Sequence, residues 1–380
     1  MIQSFQININ TDILTDLNKR LSGTRWTDEL ENTEWQYGTN SAYLKKLLRY
    51  WQNEFDWKKQ ETYLNSFAHF KTTIQDVGIH FIHEKGRGTK NVPLFLTHGF
   101  PDSFVRFLKI IPLLTEPDEN GFSFDLIIPS IPGYGFSDIP KQPGMNPKKV
   151  ADLFAELMAK LGYDQYFAHG GDWGSSITEQ LALNYPDNIL GIHLTDLPFH
   201  HLFTVPETDL SEAEKKYLET GKQWQMTEGG YAMIQSTKPQ TLGYGLNDSP
   251  AGLASWIIEK FYTWSDCNGN LENSFTKDEL LTNLTIYWAT QTINSAIRIY
   301  YETMKYPPEN SSEKVKVPTA AAIFPKDLIT APKEFADRFF NIKQWTQMPK
   351  GGHFAAMEQP ELLANDIRKF CSVAKVLTIN

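Results

Sequence analysis

Between residues 78 and 198 the chain switches repeatedly between two hydrophobic periodicities, and few folds accommodate that alternation. GIHFIHE (78–84) alternates as a strand does, and VPLFLTHGF (92–100) is a short apolar run that ends on a glycine turn. FVRFLKIIPLL (104–114) has helical spacing, and FDLIIPSIPGYGFSD (124–138) opens as another apolar run. DQYFAHGGDWG (164–174) reads as a strand entering a turn, SSITEQLALNYP as the helix behind it, and ILGIHLTDLP (189–198) as a further strand. Short strands separated by helices need crossover connections. The expected class is therefore α/β, with a mainly parallel central sheet.

The flanks differ. Residues 1–75 are polar, helical in period and rich in tryptophan. Asp12 is placed to cap a helix through ILTDLNKRL, and SAYLKKLLRYWQNEF (41–55) sets Leu44, Leu47, Leu48 and Trp51 on one face. Residues 201–305 are largely helical and read as an insertion. PTAAAIFP (318–325) and FFNIKQWTQMP return to strand character, and PELLANDIRKF closes the pattern as an amphipathic helix. The divisions expected are an N-terminal helical meander (1–75), a first core part (76–200), a helical lid (201–305) and a second core part (306–380).

Composition narrows the function. The chain has 380 residues, 41% of them hydrophobic, which is ample for a large core. A formal charge of −9 argues against a broad nucleic-acid-binding face. Cys267 and Cys371 have no CxxC partner and read as free thiols. The N-terminus lacks the basic and apolar regions of a signal peptide, and no apolar run is long enough to span a membrane. The default is a soluble cytoplasmic protein.

The chemistry centres on AHGGDWGSS (168–176). A small residue, any residue, a nucleophile, any residue and a small residue form the strand-to-helix elbow of the α/β-hydrolase fold. Here Asp172 occupies the place usual for serine. That fold orders its site as nucleophile, acid, histidine. His353, in PKGGHFAAMEQP, lies where the base belongs. Asp327, after TAAAIFP, is the first candidate for the acid, with Asp196 the alternative; Glu334 and Asp337 read as solvated charges. HGFPD (98–102) would give the Phe100 N–H to an oxyanion hole, with the Trp173 N–H beside it. His80 and His83 fall in a strand, His169 reads as packing, and His200–His201 lack metal-ligand spacing, so no metal is expected. GYGF (133–136) lacks the third glycine of a dinucleotide loop. No cofactor is expected either.

A carboxylate suits attack on saturated carbon bearing a leaving group, which gives an alkyl-enzyme ester. Epoxides and haloalkanes both qualify. Water then cleaves the ester with His353 as base. An epoxide oxygen needs an acid, a role that neutral tyrosines over the site would fill. A haloalkane dehalogenase remains the enzymatic alternative, because Trp173 is compatible with halide binding. A hydrolase-fold scaffold without activity is the non-enzymatic one.

Taken together, RLSGTRWTD, HGFPDS, PSIPGYGFSD, GGDWGS, TKPQTLGYGLNDSPAGLASWIIEKFYTW and PKGGHFAAMEQP resemble signatures of the microsomal-type epoxide hydrolases, which include juvenile-hormone and fungal enzymes. The resemblance runs nearly end to end. It implies an N-terminal domain that clasps the lid, Asp172 as nucleophile, His353 as base and Asp327 as acid. It further implies Tyr231, in GGYAMIQSTKP, and Tyr300, in IRIYYETM, as lid tyrosines, with Tyr301 the alternative to Tyr300. The implied partners are a small apolar epoxide and water, with a homodimer left open. Mammalian members carry an N-terminal membrane anchor, whereas this chain opens at the clasp, so none is expected here.

Overall fold

The alternating segments pair into one nine-stranded sheet of order β1-β2-β3-β5-β4-β6-β7-β8-β9. The strands are β1 (Gln3–Ser4), β2 (His69–Ile74), β3 (Val77–Glu84), β4 (Lys90–Thr97), β5 (Phe122–Pro129), β6 (Tyr166–Gly170), β7 (Ile189–Leu194), β8 (Pro318–Ile323) and β9 (Asn341–Gln347). This computed structural model describes residues 1–206, 208–310 and 312–378, with side chains described as far as Ser372. From β5 through β9 the strands are parallel, and β1, β2 and β3 add an antiparallel edge. Every residue of β5 and β6 is buried. Helices cover both faces of such strands, which is why they read as continuous apolar runs.

Three local expectations need correction. The first helix, Thr11–Ser22, is capped by Asn10 rather than Asp12; the Asn10 side chain accepts from the Asp12 N–H at 2.9 Å. Asp12 instead sits in the first turn, where its negative charge complements the positive end of the helix dipole. The stretch 104–114 is not one helix but a 3-10 turn, Phe104–Phe107, followed by Ile110–Thr115. Pro112 has no N–H and is tolerated only in a first turn, so the helix starts just before it. Finally, the meander contributes strands as well as helices. Gln75 and Asp76, at φ +46° and +66°, form the turn that pairs β2 with β3.

The N-terminal helices Ser41–Asn53 and Trp57–Leu64 lie against the helical insertion. Trp51 Nε1 donates to Thr285 Oγ1 at 3.0 Å, Tyr50 donates to Asp278 at 2.9 Å, and Trp35 stacks on Tyr262 at 3.9 Å. The insertion reaches the core in turn. Tyr287 donates to the Asp102 carbonyl at 2.9 Å, and Asn283 Nδ2 to the Pro101 carbonyl at 2.8 Å. No helix among the described residues is long and apolar enough to cross a membrane.

Candidate active site

Beyond β4 the chain crosses first to β5 on one side and then to β6 on the other. Open α/β sheets bind ligands in the crevice at such a reversal, outside the carboxyl ends of the strands. Gly99 and Phe100 follow β4 there, and Asp172 follows β6.

Asp172 is the N-cap of the helix Trp173–Asn184 and sits at φ +59°, ψ −128°. A non-glycine residue in that region is strained, and surrounding structure must hold it. Close backbone packing does so: a Cβ on Gly174 would lie 2.0 Å from the Thr97 carbonyl oxygen, and one on Gly99 would lie 2.2 Å from Asp172 Oδ1. The Asp172 N–H donates to both Asp196 oxygens, at 2.9 and 3.1 Å. Oδ1 of Asp172 accepts from the Phe100 N–H at 2.7 Å. Oδ2 is left facing His353 Nε2 at 3.4 Å.

His353 is almost fully buried, and its Nδ1–H donates to Asp327 Oδ1 at 2.7 Å. Asp327 also accepts from the Leu328 N–H at 2.7 Å. Of the two acid candidates, Asp327 reaches the imidazole, whereas Asp196 holds the backbone of Asp172. Burial opposes charge on His353, but Asp327 and Asp172 outweigh it and raise its pKa to about 10. Burial, then the charges of Asp327 and Asp172, push Asp196 well above the usual carboxylate range. The His353 loop is tied down by Glu358, which accepts from the N–H groups of Asp266, Gly352 and Phe354 at 2.8, 3.1 and 3.0 Å. Nε2 of His353 makes no hydrogen bond of good geometry among the described residues.

A cavity of about 500 Å³ opens above Asp172 and is lined mostly by apolar groups such as Phe199, Trp224 and Met304. Tyr231 and Tyr300 line it too, both buried, with ring centres 5.9 Å apart and nearly perpendicular. Tyr301 is half-buried and is not part of the lining. Burial and then the Asp172 charge raise the pKa of Tyr231, and burial, Tyr231 and Asp172 raise that of Tyr300. Both phenols therefore hold their protons at neutral pH. The Trp173 ring meets Tyr300 edge-on at 4.8 Å, and its indole N–H makes no hydrogen bond among the described residues.

Three features escaped the sequence reading. Arg106 is buried; it donates to Asp102 Oδ2 at 2.5 Å and to the His353 carbonyl, and so joins the HGFPD turn to the histidine loop. The i,i+4 spacing of Asp102 and Arg106 was the available signal. Lys260 is buried with Nζ 4.8 Å from the Tyr231 ring centre and 5.5 Å from that of Trp264, its charge balanced by Glu259 at 2.5 Å. Glu179, from the elbow helix, joins His200 and His201, a pair with no ligand spacing of its own.

Comparison with known proteins gives the family of the chain. Residues 2–107 match the family model described as epoxide hydrolase N terminus, and residues 92–226 match that of the alpha/beta hydrolase fold. Fold and elbow together define an α/β-hydrolase with a carboxylate on the nucleophile turn. Epoxide hydrolase 1 of Sus scrofa is 42% identical over 406 residues, covering 97% of this chain and 88% of that protein. Juvenile hormone epoxide hydrolase 2 of Ctenocephalides felis is 40% identical, covering 99% and 86% respectively. The crystal structure of juvenile hormone epoxide hydrolase from the silkworm Bombyx mori superposes with a TM-score of 0.88 at 34% identity, covering 100% of this chain and 95% of that one. The chain belongs to the epoxide hydrolases.

Proposed function

We propose that this epoxide hydrolase works through a covalent ester on Asp172. The observation that carries the reading is the unequal environment of the two Asp172 oxygens. Oδ1 is held by the Phe100 N–H, whereas Oδ2 points to His353 Nε2 and the cavity. Oδ2 attacks an epoxide carbon, the carbon–oxygen bond breaks, and the departing oxygen takes a proton from Tyr231 or Tyr300. The product is an ester between Asp172 and the ring-opened substrate.

His353 then removes a proton from water, and the hydroxide adds to the ester carbonyl. Asp327 keeps the imidazole in the tautomer that leaves Nε2 basic. The N–H groups of Phe100 and Trp173 receive the oxyanion. On collapse the His353 proton passes to the departing oxygen and releases the vicinal diol, while the second water proton restores the tyrosine and leaves Asp172 ionised and carrying one oxygen from water. The mostly apolar lining fits a small apolar epoxide. Membership in the epoxide hydrolases sets the haloalkane reading aside. Two phenols over the nucleophile suit an alkoxide leaving group, which needs a proton that a halide does not.

A single turnover in heavy-oxygen water tests the ester. The expected result is a first diol without label and label in Asp172. Label entering the diol directly in that turnover would exclude the covalent route.

A further inference from the structure

The elbow helix carries a second carboxylate seven residues beyond the nucleophile, two helical turns on and therefore on the same side. At a rise of about 1.5 Å per residue, Glu179 lies ~10 Å along the helix from Asp172. Both residues line the cavity, and so does His200. Neither Glu179 nor its neighbour His201 has a place in the mechanism above.

We propose that Glu179, His200 and His201 form a binding site for a divalent cation of the zinc class in the wall of the catalytic cavity. One ligand atom from each residue can be chosen so that all three lie within 4.8 Å of one another. His201 Nε2 is 2.6 Å from Glu179 Oε1, and His200 Nε2 is 3.6 Å from Glu179 Oε2. A tetrahedral zinc at about 2.0–2.2 Å from each donor holds them roughly 3.4 Å apart, which the His200–Glu179 pair already matches and which the His201–Glu179 pair reaches by opening about 0.8 Å. Two imidazoles and one carboxylate suit zinc, whereas magnesium and calcium prefer oxygen.

The second observation is what the cluster leaves unsatisfied. Glu179 and His201 are both fully buried. Oε2 of Glu179 and Nδ1 of His201 have no hydrogen-bond partner among the described residues. With zinc on His201 Nε2 the ring proton moves to Nδ1, so Glu179 Oε2 is the electron-rich atom that stands without a donor. A buried carboxylate oxygen in that state is costly. A cation between it and the two imidazoles removes that cost and offsets the Glu179 charge. Burial alone pushes the Glu179 carboxyl up to about 7, with His200 pulling the other way. Phe339 stacks on the His201 ring at 3.8 Å and fixes its plane. The cavity gives a cation its way in and leaves a coordination position open on that side.

The test uses the full chain, stripped with a chelator and dialysed, then titrated calorimetrically with Zn²⁺ and separately with Mg²⁺. One equivalent of Zn²⁺ should bind and Mg²⁺ should not. His200→Ala should weaken Zn²⁺ at least ~100-fold, since it removes a ligand outright. Glu179→Gln should weaken it similarly. Should that buried variant fail to fold, His200→Ala, at the cavity surface, carries the test alone. Cobalt substitution adds a spectroscopic readout, because a tetrahedral site gives strong visible absorption that His200→Ala would abolish. Wild-type protein that binds no more Zn²⁺ than His200→Ala would overturn the proposal and assign the bare Glu179 oxygen to water.

Discussion

His353 lies between two carboxylates, and only one of them keeps its charge through the proposed cycle. In the free enzyme Asp327 and Asp172 together hold the imidazole protonated up to about 10, against burial. Alkylation turns Asp172 into a neutral ester and leaves Asp327 alone. His353 should therefore become a base only once the ester exists. Ester decay, followed by rapid quench, should rise with pH along a limb centred below the free-enzyme His353 titration seen by NMR. Identical midpoints would break the link to Asp172. The stability sign follows from the raised pKa. His353 contributes fully below its unfolded value of about 6.5, and the contribution fades as pH rises through about 10. The stability gap between wild type and Asp327→Asn should shrink across that window. His353→Gln should accumulate the ester, seen as a mass increase equal to the substrate. On the acid side, Tyr231→Phe or Tyr300→Phe should slow alkylation by about 100-fold and the double variant by about 10⁴-fold, within the usual range of acid catalysis. Replacing Lys260 by Met should slow the same step, and no further in a Tyr231→Phe background, because the ammonium over the ring acts on the acidity of the hydroxyl that this variant lacks.

At the scale of elements, the elbow shows what a sequence discloses and what it withholds. Gly170, Asp172 and Gly174 were legible because the turn is local and its chemistry lies within five residues. Gly174→Ala should cost at least about 3 kcal/mol, since the new methyl meets the Thr97 carbonyl, a backbone atom that cannot step aside. Gly245→Ala is the matched control. It lies in the helix Pro239–Asp248 with nothing within 4 Å of its added Cβ. It should stabilise by about 0.5–1 kcal/mol through the unfolded chain. Denaturant midpoints at constant slope check both values. The parallel strands were equally legible, because burial on two faces leaves a continuous apolar run. The β2–β3 hairpin was not. HFKTTI is short and polar, and its turn uses Gln75–Asp76 in place of the usual Asn-Gly. Glu179 was hidden for a different reason. Its partners come from a loop 21 and 22 residues further on, and only the sheet brings that loop beside the helix.

At the scale of the whole molecule, the two halves of the proposed chemistry stand on different supports. Asp172 and His353 follow strands of the sheet, whereas Tyr231 and Tyr300 stand on helices inserted between β7 and β8. Their relative placement depends on what holds that insertion in place. The helix Lys277–Thr290 is central to that. It meets the HGFPD turn through Asn283 and Tyr287 and the N-terminal helices through Thr285 and Asp278. Gln291, in the left-handed conformation, links it to the helix Ile293–Lys305 that carries Tyr300. Trp51→Phe keeps most of the apolar contact but leaves the Thr285 hydroxyl buried without its donor, at a cost of about 1–3 kcal/mol. If the N-terminal segment sets the insertion, the kinetic effect should be lopsided. Alkylation, which needs the tyrosines, should slow several-fold, while decay of a preformed ester, which needs only Asp172, His353 and Asp327, should hold its rate. Single-turnover kinetics separate the two steps. Equal slowing of both would mean that the segment steadies the core rather than aiming the phenols at the nucleophile.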